Sequence, residues 1–166
     1  MHLHNVVHAA HFTSPTAEGE FEQLYRAQWA PMVRLAWLLI GNWEDAEDVV
    51  HDAFCRMEPR LDSIEDRNAY LRVTVINSVR ALHRRRGVER RRLPEPMSSH
   101  CDPETEEIWE LVKRLPPRQR QALVLHFYLD LSIEDTAALL RCPLGTAKSL
   151  IYRGVERLRK RMANDN

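Results

Sequence analysis

Glycine is scarce in this chain, 5 residues among 166, and runs of β-branched residues are short. Both shortages argue for an all-α fold. Long apolar runs are missing too. The longest, Leu35 to Ile40, is far too short to cross a bilayer, so no direct membrane insertion is expected. The N-terminal stretch has neither the basic start nor the apolar run of a signal peptide, which points to the cytoplasm. The 3 cysteines, Cys55, Cys101 and Cys142, are widely separated and form no C-x-x-C pair. That argues against a disulfide frame and fits reduced thiols. His51 and Cys55, four apart on one helical face, would supply half of a metal site, but no second half is evident. No GxxxxGK(S/T) phosphate loop is present, so nucleotide hydrolysis is not expected; no cofactor is expected either.

Net charge is absent as well, since 24 Lys and Arg balance 24 Asp and Glu. As an average, that counts against a nucleic-acid partner. The distribution reverses the conclusion. Residues 44–66 hold 9 acidic side chains against 2 Arg, residues 80–92 hold 7 Arg against 1 Glu, and residues 141–161 hold 7 basic groups against 1 Glu. Such segregation makes one acidic and two basic surfaces.

The apolar spacing divides the chain into helical blocks. Phe21, Leu24, Tyr25, Trp29, Met32, Ala36 and Leu39 recur at helical intervals, and Pro31 predicts a kink or two abutting helices. Gly41-Asn42 ends that element, and Asn42 caps the next, whose stripe is Ala46, Val49, Val50, Ala53, Phe54 and Met57. Pro59 stops it. A third helix over 68–86 places Leu71, Val75, Val79 and Leu82 inside and ends in His83-Arg84-Arg85-Arg86. Leu93 to Pro103 has no helical stripe and reads as a flexible linker. Asp102-Pro103 opens a helix carrying Ile108, Leu111, Val112 and Leu115; Pro116-Pro117 closes it and starts another over 118–128. The expected plan is a disordered leader over 1–20 (containing His2, His4, His8 and His11), a helical domain over 21–92, a linker over 93–103 and a second helical domain over 104–166. Each domain is small enough to be only marginally stable alone, and docking on a larger partner would help both.

The last third reads as a helix-turn-helix. Ser132 with Asp135 approximates a capping box before Ile133, Thr136, Ala137 and Leu140. Arg141-Cys142-Pro143-Leu144-Gly145 breaks the pattern. From about Thr146 a longer helix has Ala147, Ile151, Gly154, Val155, Leu158 and Met162 inside and Lys148, Ser149, Tyr152, Arg153, Arg157 and Lys160 outside. A short helix, a tight turn and a longer basic helix suit a DNA major groove. An amphipathic hairpin with a solvated basic face is the rival reading.

The order of these parts resembles a known family. Asp45-Ala46-Glu47-Asp48-Val49-Val50-His51-Asp52-Ala53-Phe54 is similar to the acidic-apolar helix with which bacterial sigma factors grip the RNA polymerase clamp. Tyr70-Leu71 through Asn77, with the Arg-rich end behind it, resembles the element that opens and reads the −10 promoter region. Leu115-Pro116-Pro117-Arg118-Gln119-Arg120, then Asp130-Leu131-Ser132, then Cys142-Pro143-Leu144-Gly145-Thr146-Ala147-Lys148-Ser149, resembles the region 4 module that reads the −35 element. Two such modules joined by a short linker look like an extracytoplasmic-function (group IV) sigma factor of the sigma-70 family, over about residues 20–162.

The resemblance implies roles residue by residue. Asp45, Glu47, Asp48, Asp52 and Phe54 would contact polymerase; His51 stands where the family usually has Gln. A solvated acidic face is the plainer account of the same helix. Arg72, Arg80, Arg84, Arg85 and Arg86 would serve the −10 phosphates, Tyr70 would stack where the family usually has Trp, and Asn77 would read a base edge. An Asn satisfying backbone groups is the alternative for that position. Val73 and Ala81 replace commonly basic and acidic residues. Thr146, Lys148, Ser149, Tyr152 and Arg153 match the −35-contacting positions, while Leu150 departs from a common Arg and predicts an apolar contact or a changed base preference. Arg157 and Lys160 fit a solvated face or polymerase flap contacts. The implied function is a promoter-specificity subunit without enzymatic activity. Its partners would be core polymerase (clamp and flap), promoter DNA and an anti-sigma protein. A conventional helix-turn-helix regulator is the alternative, and it leaves the acidic helix and the Arg-rich third helix without a purpose. An enzyme built on Asp45, Asp48, Asp52 and His51 is a remoter one, because these groups sit on a single helix with no matching ligand elsewhere.

Overall fold

The computed structural model describes residues 15–86 and 102–164. The leader histidines, Cys101, and linker positions 93–101 lie outside the described residues. Seven α-helices follow one another: α1 (Pro15–Ile40), α2 (Trp43–Met57), α3 (Arg67–Arg86), α4 (Pro103–Val112), α5 (Pro117–Leu123), α6 (Ile133–Leu140) and α7 (Leu144–Asn164). A 3-10 turn, Glu58–Ser63, joins α2 to α3, and a π-helical turn, Val124–Tyr128, extends α5. No strand occurs among the described residues, and the fold is all-α.

The helix boundaries have local causes. Gly41, at φ +84, turns the chain out of α1 in a conformation that side-chain-bearing residues resist. The Asn42, Asp66 and Asp102 side chains accept hydrogen bonds of 2.9 Å from the amides of Asp45, Ala69 and Thr105, capping α2, α3 and α4. Ser132 Oγ accepts from the Asp135 amide at 2.9 Å and donates to the Asp135 carboxylate at 2.7 Å. Arg141, in the left-handed region at φ 47, ends α6, and the Cys142 amide reaches back to the Ala137 carbonyl at 3.0 Å. Pro143 then lets α7 start at Leu144, two residues earlier than the spacing predicts.

The structure differs from the sequence reading in two respects. First, α1 begins at Pro15, inside the stretch read as leader, and continues through Pro31 as a single element rather than two abutting helices. Second, the blocks α1–α3 and α4–α7 do not have separate cores. Val33, Leu35, Ala36, Trp37, Leu38 and Leu39 are all buried, so the C-terminal half of α1 is enclosed on every side. α2 and α3 pack on one side of it and α4 and α5 on another. This all-round enclosure outweighs the one hydrogen bond that Pro31 removes. The stripe on α2 is buried as expected except for half-buried Val49. Met162, expected inside, is 62% exposed, because it lies in the last turns of α7 beyond the buried stretch of that helix.

Phe54 is only 1% exposed. Its ring lies 4.8 Å from Tyr25, 6.1 Å from Phe21 and 6.2 Å from Trp29 by centroid, tying α2 to the first half of α1. Truncation by Phe54→Ala is expected to cost about 3–5 kcal/mol of stability, read as a lowered urea midpoint in equilibrium unfolding. A loss below about 1 kcal/mol would show that the aromatic cluster is not a core.

Candidate functional site

The outward face of α7 is built by what lies behind it. Ala147, Ile151 and Gly154 are buried against the rest of the C-terminal block. At Gly154 a Cβ would come within 2.9 Å of Leu123 Cδ1, so glycine lets α7 approach α5 closely. Thr146, Lys148, Ser149, Tyr152 and Arg153 are consequently all exposed, Tyr152 at 67%. At about 100° per residue, four of them fall within an arc of about 120°, and Lys148 flanks it. Leu150 is half-buried against the apolar core.

On α3 the sequence-assigned residues divide. Tyr70, Asn77, Arg80 and Arg84 share one arc of about 80°. Tyr70 is half-buried against the core, leaving only part of its ring for stacking. Arg80 Nη1 donates to Asn77 Oδ1 at 3.3 Å, so that amide is held by a neighbouring cation rather than by backbone groups. Burial lowers the Arg80 pKa, and the nearby positive charges of Arg141, Arg84 and Arg118 lower it further. Arg72 points elsewhere, into a groove of about 370 Å³ lined also by Gln28, Met32, Asn68 and Tyr128. Arg85 lines a second cleft, about 270 Å³, together with Asn77 and the α2 carboxylates Asp45, Asp48 and Asp52.

The acidic face of α2 is also uneven. Asp48 and Asp52 are exposed and Glu47 is half-buried. Asp45, with a side chain only 15% exposed, accepts two hydrogen bonds of 2.6 Å from the Arg86 guanidinium. This fork-to-fork pair joins a residue assigned to polymerase with one assigned to DNA, and each occupies the other. Phe54 lies in the core described above, so its contribution is to hold α2 in place and not to touch a partner. His51 Nε2 and Cys55 Sγ are 3.6 Å apart and exposed, and no group of three metal-ligating side chains occurs among the described residues.

Sequence reasoning missed the groups at the junction of the two blocks. Arg120 is 5% exposed, with its guanidinium 5.4 Å from the centroid of the Trp109 ring, and burial brings its pKa down to about 10. His83 Nε2 lies 3.2 Å from the Leu39 carbonyl. Its pKa is lowered first by burial and then by the positive charges of Arg120 and Arg86, with the Leu39 bond opposing. Nothing in local spacing marks these residues, because their partners lie far away in sequence.

Comparison with known proteins adds an independent line. Residues 105–158 match the family described as sigma-70, region 4. The chain is 34% identical over 152 residues to the RNA polymerase sigma-E factor of Streptomyces coelicolor, covering 86% of each chain. It is 31% identical over 162 residues to the ECF RNA polymerase sigma factor SigE of Mycolicibacterium smegmatis, covering 89% of this chain and 63% of that one. Among solved structures it is similar to the sigma factor RpoE of Bartonella quintana, crystallised with the anti-sigma factor NepR. That match has a TM-score of 0.65 at 25% identity and covers 89% of this chain and 99% of the other.

The position of His83 gives a pH dependence with a definite sign. Its folded pKa lies below its ordinary value of 6.5, so the unfolded chain takes up a proton first on acidification. The stability contribution is complete above 6.5 and declines as pH falls from there toward the folded pKa. Thermal unfolding between pH 8 and 5 is expected to show a steeper loss in the native chain than in His83→Gln; parallel curves would remove His83 from that role.

Proposed function

The chain belongs to the extracytoplasmic-function (ECF) sigma factors of RNA polymerase, and we propose that its helical blocks divide the work of such a factor between them. In this reading α7 lies on duplex DNA at the −35 element. Lys148 and Arg153 meet guanine edges or phosphates, Thr146 and Ser149 bond phosphates, and Tyr152 packs beside them. The face of α3 bearing Tyr70, Asn77, Arg80 and Arg84 meets the −10 segment, Arg85 flanks it with further positive charge, and Arg72 reaches phosphates only from the groove beside Tyr128. Asp48, Asp52 and Glu47 on α2 steer toward a basic surface of core polymerase. Asp45 and Arg86 act by bracing α2 against α3, and Phe54 supports them from below. The observation that carries the reading is the exposed polar and cationic face of α7, set on a capped helix-turn-helix inside the matched region 4 segment.

Several further assignments follow. The chain acts in the cytoplasm alongside polymerase, and no helix among the described residues is long and apolar enough to cross a membrane. It has no catalysis of its own, since melting is driven by binding. An anti-sigma protein is its natural antagonist, a proposal supported by the Bartonella quintana relative crystallised with one. A helix-turn-helix regulator that leaves the housekeeping sigma subunit in place would need only the C-terminal block. The similarity to sigma factors extends over most of the chain, which favours a full sigma factor. Transcription in vitro with purified core polymerase on a promoter library tests this directly. Initiation dependent on the chain is expected, and its absence on every template would refute the proposal.

Charge reversal at Asp48 and Asp52 together is expected to abolish capture by core polymerase while leaving binding to a −35 duplex unchanged. Retained capture at moderate salt would remove α2 from the polymerase contact. Arg153→Ala is expected to weaken −35-dependent initiation by an amount corresponding to about 1–3 kcal/mol. Transcript levels that stay the same at every salt concentration would take Arg153 out of the readout.

A further inference from the structure

The cationic face of α3 has an apolar centre. Val73 is 41% exposed. At about 100° per residue it falls inside the arc shared by Tyr70, Asn77, Arg80 and Arg84. At about 1.5 Å of rise per residue, Val73 lies about 4.5 Å beyond Tyr70 along the helix axis and Asn77 about 6 Å beyond Val73. A lone exposed valine is ordinary on a protein surface. This one stands in a row of groups suited to bases and phosphates, and helix propensity does not call for it, since Ala, Arg and Lys are all better helix formers.

The groups beside Val73 are set for one kind of base edge. Arg80 Nη1 donates to Asn77 Oδ1 at 3.3 Å. A guanidinium only donates, so this bond fixes which way the amide is turned. Asn77 Oδ1 is thereby engaged, and Nδ2, which makes no hydrogen bond among the described residues, presents its N–H donors. Arg72, the neighbouring cation, is turned away into the groove beside Tyr128. No residue of α3 therefore puts a positive charge between Tyr70 and Asn77 on this face.

We propose that Val73 is a specificity-determining residue, which together with the Asn77 amide selects thymine at one position of the −10 segment. The proposal rests on the reading of this face as the −10 contact. Thymine carries a C5 methyl beside its O4 acceptor. An isopropyl group and an amide N–H, four residues apart on one helix face, meet that pair together. Cytosine has no methyl and turns its N4 amino group toward the same amide, so two donors oppose each other. Guanine offers acceptors without a methyl, and adenine brings an N6 donor. Tyr70, one turn before Val73, gives a ring edge and part of a face for the base to stack on. Arg80 and Arg84, farther along, hold the strand by its phosphates whatever its sequence. Selectivity and affinity are thus assigned to opposite ends of one helix. A cation at position 73 would strengthen binding to every strand alike and discriminate nothing; valine forgoes that attraction and gains a choice of base.

Holoenzyme assembled from core polymerase and the full-length chain tests this on promoter templates. Each −10 position of the non-template strand is made thymine, deoxyuridine or cytosine in turn. Deoxyuridine removes the methyl alone, and cytosine also exchanges the acceptor for a donor. At one position, initiation is expected to be about fourfold better with thymine than with deoxyuridine. It is expected to be roughly tenfold better with deoxyuridine than with cytosine. Val73→Ala is expected to abolish the first preference and keep the second, and Asn77→Ala to abolish the second and keep the first. Each ratio is taken within one variant, so a general loss of activity or of folded protein cancels. Initiation that ranks the three bases equally at every position would overturn the proposal and leave the sigma-factor reading in place. So would a thymine-over-deoxyuridine preference that survives Val73→Ala, or a deoxyuridine-over-cytosine preference that survives Asn77→Ala. No initiation on any template would overturn that reading, and the proposal with it.

Discussion

Everything in this fold depends on the enclosure of the second half of α1. Five consecutive residues, Leu35 to Leu39, are almost fully buried, which a helix achieves only when neighbours cover every face. α2 and α3 supply part of the cover and α4 and α5 the rest. A block of three helices would leave one side of α1 wet, and the small size of each block makes that loss serious. Enclosing α1 in one core common to both blocks resolves the shortage, and it gives the two blocks a defined mutual position.

Charge is arranged around that shared core. Cations gather on α3 and α7 and carboxylates on α2, so a chain of zero net charge presents strongly signed surfaces. The fold then separates charges that belong together in sequence. Asp45 turns in to meet Arg86, while Asp48 and Asp52 remain outside. Arg72 enters a groove against Tyr128, and Arg84 stays exposed. A stripe of like charge is thus partly brace and partly exposed surface, and helical angle together with the neighbouring element decides which.

Local signals were the legible ones. Apolar spacing, capping residues and prolines located the starts of α2, α3, α4 and the two helices of the helix-turn-helix within a residue or two, because those signals act over one or two turns; α4 itself ends at Val112, short of Leu115. The outward set on α7 was legible for the same reason, since a helix with a buried side has a determined exposed side. Phe54 misled because its motif position names a helix, not a direction; the stripe that includes Ala53 and Met57 carries it into the aromatic cluster with Tyr25 and Trp29. Leu150 lies at the flank where α7 meets the core, half-buried against it. The continuity of α1 through Pro31 was illegible because a proline penalty is local and the burial that offsets it is not.

By itself the sequence determined the helical class, the order of elements, the segregation of charge and the face that α7 offers to solvent. All of these follow from interactions between residues a few positions apart. Only the tertiary structure decided that Arg120 caps the end of α1, that Trp109 fills the notch at Gly41 and that His83 shares the Leu39 carbonyl. Those contacts join residues about 40 to 80 positions apart, and no periodicity encodes a partner that distant. A buried cation and a bare helix terminus look unrelated in the chain, and packing is what brings them together.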